Sequence, residues 1–431
     1  MRNKKVLVIT VNAWNDNGIL NTMQNIFQDY DADLIYSLYL RSDLPNTKYC
    51  AHSFQVSEMR VYKKLFSPSL KIGKRVNSVN NAISSEFKQE GSAKRIYRLF
   101  NSNFVLLCRE FIWGLNLWKE NDLVSYLKEA NPDIIFTPVS SYLYTNRIVD
   151  FVCKMLPNAK LALFFVDDNF TYKAVSNSPF ALLHRLLLRK KIRTLVDKAT
   201  FLYAISPKMQ DEYGTFFGKN FDLLTKSVEV DLNAFHKKES DTCGDKLTIV
   251  YIGNLLYGRI LTLLEISNAI ENINRNSVKK IHLVVYTQTE VSVKYSRFFQ
   301  RNNYTQINKA IPYSEVKKVL SESDVLLYME SFYKSKYRVA RLSFSTKITD
   351  CLASGKPILA IGPKDIAPME YLKNNECAIV IDDPAKIHSE MKTLVENFDH
   401  LNKIKENAYQ CCLKNHSRER NKKNIVKMLN K

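Results

Sequence analysis

Residues 342–363 read LSFSTKITDCLASGKPILAIGP, and the order of signals in that stretch decides the fold. Ser345 or Thr346 can cap a helix whose inner face carries Ile348, Cys351 and Leu352. Gly355 ends that helix and Pro357 opens the next strand, PILAIG, so a helix passes directly into a short apolar run. Lys347 falls in the first turn and Asp350 three residues later, which puts both on one face. That face presents a cation for a phosphate and a carboxylate able to accept from ribose hydroxyls.

The same alternation recurs outward from this stretch. VLVIT (6–10), DIIFTPV (133–139), LALFFV (161–166) and FLYAIS (201–206) punctuate the first half. LTIVYIG (247–253), KIHLVVY (280–286), DVLLYM (324–329), PILAIG (357–362) and AIVI (378–381) punctuate the second. Helical patterns start near Ile19, Ser141, Pro207 and Ile260. Short continuous apolar runs between helices are the signature of parallel strands buried on both faces. The expected class is α/β, with two doubly wound parallel-sheet domains. The boundary is expected within Val230–Lys246, a polar segment without apolar periodicity. Residues 57–130 read as a helix-rich insertion into the first sheet, and a basic amphipathic helix is expected over roughly 384–431.

A chain of 431 residues, 45% hydrophobic and 25% charged, has the composition of a folded protein with more than one core. Its formal charge of +20 favours anionic partners. The excess is concentrated: Arg60–Arg98 holds ten Lys/Arg against Glu86 and Glu90, and Lys403–Lys431 holds nine against Glu406 and Glu419. No RNA-binding signature, zinc module or helix-turn-helix spacing accompanies the charge, so nucleic acid is not an expected partner. Eight cysteines at irregular spacing suit neither a zinc site nor a disulfide scaffold and read as reduced thiols of a cytoplasmic protein. The opening VLVITV is too short for a signal peptide and reads as a buried strand, and no run of eighteen apolar residues is present.

Other segments carry candidate chemistry. Asn15-Asp-Asn-Gly18 follows the first strand, and Gly18 gives a ligand room at a helix start, although an ordinary β–α turn explains it equally. The matching loop in the second half runs from Tyr251 to Arg259. Gly253, Asn254 and Gly258 leave backbone room there, and Arg259 offers a guanidinium suited to a diphosphate, or is a surface arginine on a loop. Asp167 and Asp168 directly follow a buried strand, at the edge where open α/β sheets bind ligands. Either can position or deprotonate an acceptor hydroxyl, Asp168 being the first choice; the alternative is a polar turn. Residues 57–120 mix Lys/Arg with Phe66, Leu70, Ile72, Ile96, Tyr97, Leu99, Phe100, Phe104, Trp113 and Trp118. Cationic, aromatic-bearing amphipathic helices of this kind can lie on an anionic bilayer.

The segment TKITDCLASGKP (346–357) resembles the P-x-K-x-x-E-Y-L-A-x-G-K-P motif of GT-B glycosyltransferases, especially the family 4 type of bacterial polysaccharide and lipopolysaccharide synthesis. AISPKMQDEY (204–213) is similar to a helix start near the end of that family's N-terminal domain. Gly253–Arg259 resembles its glycine loop, and Gly362-Pro363, PMEYLK (368–373) and CAIVI (377–381) resemble the sequence after its nucleotide helix. The resemblance runs in order through most of the chain and is weakest over 57–130. It implies two Rossmann-like domains facing a cleft: an acceptor domain over 1–235, a nucleotide-sugar domain over 246–410, and a C-terminal helix, 411–431, returning to the first.

Carried over by position, the resemblance assigns Arg259 and Lys347 to the diphosphate, with Thr346 opening the nucleotide helix. Asp350 stands where the family places a ribose-binding Glu, one methylene longer. A second Glu, eight residues earlier and in contact with the transferred sugar, is replaced here by Leu342; Glu330 and the cations Lys334, Lys336, Arg338 and Arg341 lie close by in sequence and can substitute for it. The expected partners are a nucleotide-sugar donor, a saccharide or lipid-linked saccharide acceptor, and an anionic membrane surface at the inner face of the cytoplasmic membrane. No cofactor and no obligatory metal are expected. Two other classes stay open: a nucleotide-sugar epimerase of the same fold, and a silent scaffold, which the missing Glu favours.

Overall fold

In a computed structural model of the chain, residues 4–16, 22–77, 103–176, 178–229, 245–396 and 401–430 are described. Every apolar run named above is a strand. The first sheet has the order β4-β3-β2-β1-β5-β6-β7-β8, with β1 Val6–Thr10, β2 Ile35–Tyr39, β3 His52–Val56, β4 Gly73–Val76, β5 Ile134–Pro138, β6 Lys160–Phe165, β7 Phe201–Ala204 and β8 Asp222–Leu223. All neighbours pair in parallel except β3 with β4. The second sheet has the order β11-β10-β9-β12-β13-β14 and is wholly parallel, with β9 Lys246–Ile252, β10 Lys280–Thr287, β11 Thr305–Lys309, β12 Val325–Met329, β13 Ile358–Ile361 and β14 Ile379–Ile381. Val6–Ile9 and Ile358–Ile361 are buried along their whole length, as central strands covered on both faces require.

The chain divides into one unit of residues 1–224 with 422–431 and a second of residues 225–421. Most of the polar segment where a boundary was expected lies outside the described residues. In each sheet the strand order reverses beside the first strand of its unit, between β1 and β5 and between β9 and β12. Such switch points leave a crevice at the carboxyl ends of the strands.

Three expectations change. The stretch 57–130 is not helical throughout: it supplies β4, whose antiparallel pairing closes an edge, besides helices Glu58–Lys64, Asn103–Gly114 and Asn121–Ala130. Trp113 and Trp118, read as aromatics for a bilayer, are core residues exposed by 0% and 2%. Trp113 stacks on Tyr144 and Trp118 meets Phe151 edge-on, contacts that absorb both indoles into the first unit. Ile72 is likewise buried, while Ile96, Tyr97, Leu99 and Phe100 lie outside the described residues. The long C-terminal helix is three helices, Ile387–Glu396, Leu401–His416 and Arg418–Asn430.

Candidate functional site

The second unit builds its site at the β9/β12 switch point. β9 ends at Ile252, the loop 253–258 follows, and Arg259 opens the helix Arg259–Asn276. Gly258 caps that helix at φ +81°, where a Cβ would meet Ser331 Oγ at 2.6 Å, so the turn requires glycine. The Arg259 side chain, 14% exposed, turns back over the strand ends. Its Nε and Nη2 donate to Glu330 at 2.9 and 2.7 Å, and Nη1 donates to Asn254 Oδ1 at 2.5 Å. Glu330, the residue after β12, also accepts from Tyr328 Oη at 3.0 Å, and its carbonyl accepts from Thr262. A bidentate pair on a buried carboxylate fixes the guanidinium plane, which is what recognition of a planar or diphosphate oxyanion needs.

Lys347 reaches the same place from the helix Thr346–Ala353. Its ammonium lies 5.7 Å from the Tyr251 ring centroid and directly against Gly253, where a Cβ would collide with Lys347 Nζ and with Tyr251 Oη. Gly253 therefore makes room for the lysine. Burial, and then the neighbouring Arg259 charge, push the Lys347 ammonium down to about 8. The two cations share Glu330 as their near acid, so the pocket carries an excess positive charge in a poorly hydrated setting.

Asp350, one turn on, has both carboxylate oxygens on Lys226 Nζ, at 2.7 and 2.8 Å. Burial pushes its carboxyl up, while Lys226 and then Lys347 pull it down. The Lys226 segment is fixed by the C-terminal helices. Thr225 Oγ1 lies 3.2 Å from His416 Nδ1, Val228 N donates to the His416 carbonyl, and His416 Nε2 is 2.9 Å from Tyr371 Oη. Lys347 and Asp350 thus share a helix but point to different partners. Leu342 is fully buried, so the position lacking the sugar-contacting Glu is a packing position.

In the first unit, Asp168 is buried at 3% exposure and closes a turn. Its Oδ1 accepts from Thr171 N at 2.9 Å and Tyr213 Oη at 3.0 Å, and its Oδ2 from Thr171 Oγ1 at 2.5 Å. Arg185 donates to the Asp168 carbonyl. Asp167, its neighbour at the end of β6, is exposed. The Asp168 oxygens are taken up by three donors inside the turn, whereas the exposed Asp167 can meet a hydroxyl. Gly18 lies outside the described residues.

Sequence reading missed three parts of these sites. Lys226 carries no motif. Glu330, which the sequence offers as a substitute for the missing sugar-contacting Glu, instead anchors Arg259. The third is a polar cluster beside the β1/β5 switch point, assembled from distant segments. There the Arg109 guanidinium lies 4.2 Å from the Tyr142 ring, and Glu110 accepts from Leu143 N at 3.0 Å with His184 at 3.5 Å. Among the described residues no group of three or more His, Cys, Asp or Glu could hold a metal ion. A depression of about 530 Å³ lined by His282, Phe299 and Tyr304 beside edge strand β11 contains none of the site residues.

Two units, each wound on its own parallel sheet with a ligand crevice at the switch point, define the GT-B fold. Residues 267–427 match the model of a family described as glycosyl transferase-like. HepE of Anabaena, solved in complex with UDP and glucose, superposes with a TM-score of 0.62 over 99% of both chains at 11% identity. Sucrose-phosphate synthase of Thermosynechococcus elongatus gives 0.58 over 99% of this chain and 98% of that one, at 10% identity. The α,α-trehalose 6-phosphate synthase of Burkholderia multivorans gives 0.59 over 98% and 97%, at 11% identity. No curated protein matches the sequence.

Proposed function

We propose that this chain is a glycosyltransferase of the family 4 kind, moving a hexose or related sugar from a nucleotide-diphosphate donor to a saccharide acceptor. The observation that carries the reading is the cation pair at the β9/β12 edge: Arg259 locked by Glu330 and Asn254, with Lys347 beside it against Gly253. Two half-buried cations at the starts of two helices suit the charge that grows on a departing nucleoside diphosphate. They cost least when that charge is present, which is the condition for stabilising a transition state over a ground state. Thr346 opens the helix that faces the phosphates, and Asp350, held by Lys226, is offered to the ribose. HepE, which shares the fold, is solved with UDP and glucose, in keeping with a nucleotide-sugar donor.

In the first unit the acceptor hydroxyl is met by Asp167, with Asp168 holding the loop. The acceptor is a lipid-linked saccharide of cell-surface polysaccharide synthesis, reached from the cytoplasmic side; the exposed Phe66, Phe104 and Phe111 in the basic stretch after β3 support that choice. Thiols left free at Cys50, Cys153, Cys351 and Cys377 suit a reducing compartment.

Thermal-shift screening with UDP, GDP and CMP and their sugars tests the donor reading. At least one nucleotide is expected to raise the melting midpoint, and Arg259→Ala and Asp350→Ala are expected to blunt that rise. A wild-type protein that no nucleotide stabilises would remove the reading. Conversion of the bound sugar nucleotide to its epimer without any acceptor would assign the site to an epimerase.

A further inference from the structure

The helix Pro179–Lys198 has its polarity reversed over its first half. His184, Arg185 and Arg189 turn toward the protein: His184 to Glu110, Arg185 to the Asp168 carbonyl and Arg189 to the Phe170 carbonyl at 2.7 Å. The outward positions are Phe180, Leu182, Leu183, Leu186 and Leu187, with Leu186 55% exposed. The helix Asn103–Gly114 packs alongside, Phe104 meeting Phe180 at 5.5 Å between ring centroids. Its outward stripe is Phe104, Cys108 and Phe111, continued by Leu115, and Phe111 is 70% exposed. Two adjacent helices thus show water an unbroken apolar face while their cations are spent inside. Isolated exposed leucines are ordinary; a contiguous face of this kind marks an interaction surface.

We infer that this face docks the first unit on an anionic lipid bilayer, entering only the interfacial layer. Charge selects the occupant. Beyond Leu187 the exposed positions of the same helix turn basic, at Lys190 and Arg193, with Asp197 a turn further on. The one acid of the Asn103–Gly114 helix, Glu110, is buried. An apolar face with exposed cations at one end matches anionic headgroups over acyl chains. A second copy of the chain would bring no exposed acid of this face other than Asp197 to pair with those cations. Among the described residues no helix is long and apolar enough to cross a membrane, so the contact is peripheral. Arg185 and Arg189 tie the inner side of the docked helix to the loop carrying Asp167 and Asp168, so the acceptor loop lies one helix behind the docking face. The inference rests on the proposed lipid-linked acceptor for its purpose, though not for its geometry.

Flotation of the full chain with phosphatidylcholine vesicles, with and without phosphatidylglycerol, tests it. Wild type is expected to float only with phosphatidylglycerol. The variant Phe111→Ser/Leu183→Ser/Leu186→Ser, altered only at exposed positions, is expected to lose about tenfold or more of its recovery. Lys190→Glu/Arg193→Glu is expected to do the same through charge alone. Wild type remaining in the dense fraction, or a serine variant floating equally well, overturns the inference. So does a wild-type dimer that the serine variant dissolves into monomers, since the face would then belong to a second copy. The nucleotide-dependent thermal shift, measured on the same proteins, separates the two readings: lost flotation with an intact shift isolates docking, and intact flotation without any shift leaves docking standing while the donor reading falls.

Discussion

Replacing Lys347 by methionine is expected to make the protein more stable and less able to bind a nucleotide. The ammonium sits at about 8 in the folded chain against an ordinary 10.5. At about 1.4 kcal/mol per pH unit, holding it charged at neutral pH costs the fold about 3 kcal/mol. The sign follows from linkage. Between pH 8 and 10.5 the unfolded chain binds the proton and the folded chain does not, so wild-type stability rises with pH across that window. Below pH 8 both states carry the proton and the cost is fully present. Methionine keeps the stem's volume and removes the charge. For a unit of the size of residues 225–421, the gain corresponds to roughly 6–12 °C in melting midpoint. Melting curves of both proteins between pH 6 and 10.5 provide the assay. The variant's advantage should be full below pH 8 and close as the pH approaches 10.5, and its midpoint should no longer respond to nucleoside diphosphates. A variant that melts at or below wild type at pH 7, or an advantage that does not change with pH, would refute the reasoning.

The two aspartates after β6 are expected to separate by assay. Asp168→Asn leaves Thr171 and Tyr213 without their charged acceptor and should cost about 1–3 kcal/mol of stability. Asp167→Asn, at an exposed position, should leave melting unchanged and lower sugar transfer by about a hundredfold or more, without altering nucleotide affinity. His416 supplies a pH dependence of its own, because burial holds its imidazole down to about 4. As pH falls from 6.5 toward 4 the unfolded chain gains a proton that the folded chain refuses. Stability should therefore drop by up to about 3 kcal/mol over that window, and His416→Gln should flatten the slope.

Strands of the second unit were legible because a strand covered on both faces is a continuous apolar run, and Leu247–Ile252 or Ile358–Ile361 cannot be mistaken for a polar segment. Edge strand β11, TQINK, lacks such a run because only Thr305 is buried in it, and β2, β3, β4 and β8 were passed over. The cation pair was legible through glycine spacing and helix punctuation at Gly253, Gly258 and Gly355. Its anchors were not. Glu330 and Lys226 act from segments 71 and 124 residues away from Arg259 and Asp350, and no local pattern marks them. Periodicity also cannot say which of two stripes on a helix faces inward. On Pro179–Lys198 the leucines face out because His184, Arg185 and Arg189 are held by Glu110 and the Asp168 loop. Trp113 and Trp118 show the opposite case, aromatics in a basic stretch that the core absorbs.

Calorimetric titration with the best-stabilising nucleoside diphosphate and its monophosphate, against wild type and Arg259→Ala, tests the central claim most directly. The diphosphate should bind wild type more tightly than the monophosphate, and Arg259→Ala should lose about tenfold or more of diphosphate affinity while its monophosphate affinity changes little. Equal affinities for the two nucleotides, or a variant that binds the diphosphate as wild type does, would mean that the cations at the β9/β12 edge do not hold a diphosphate.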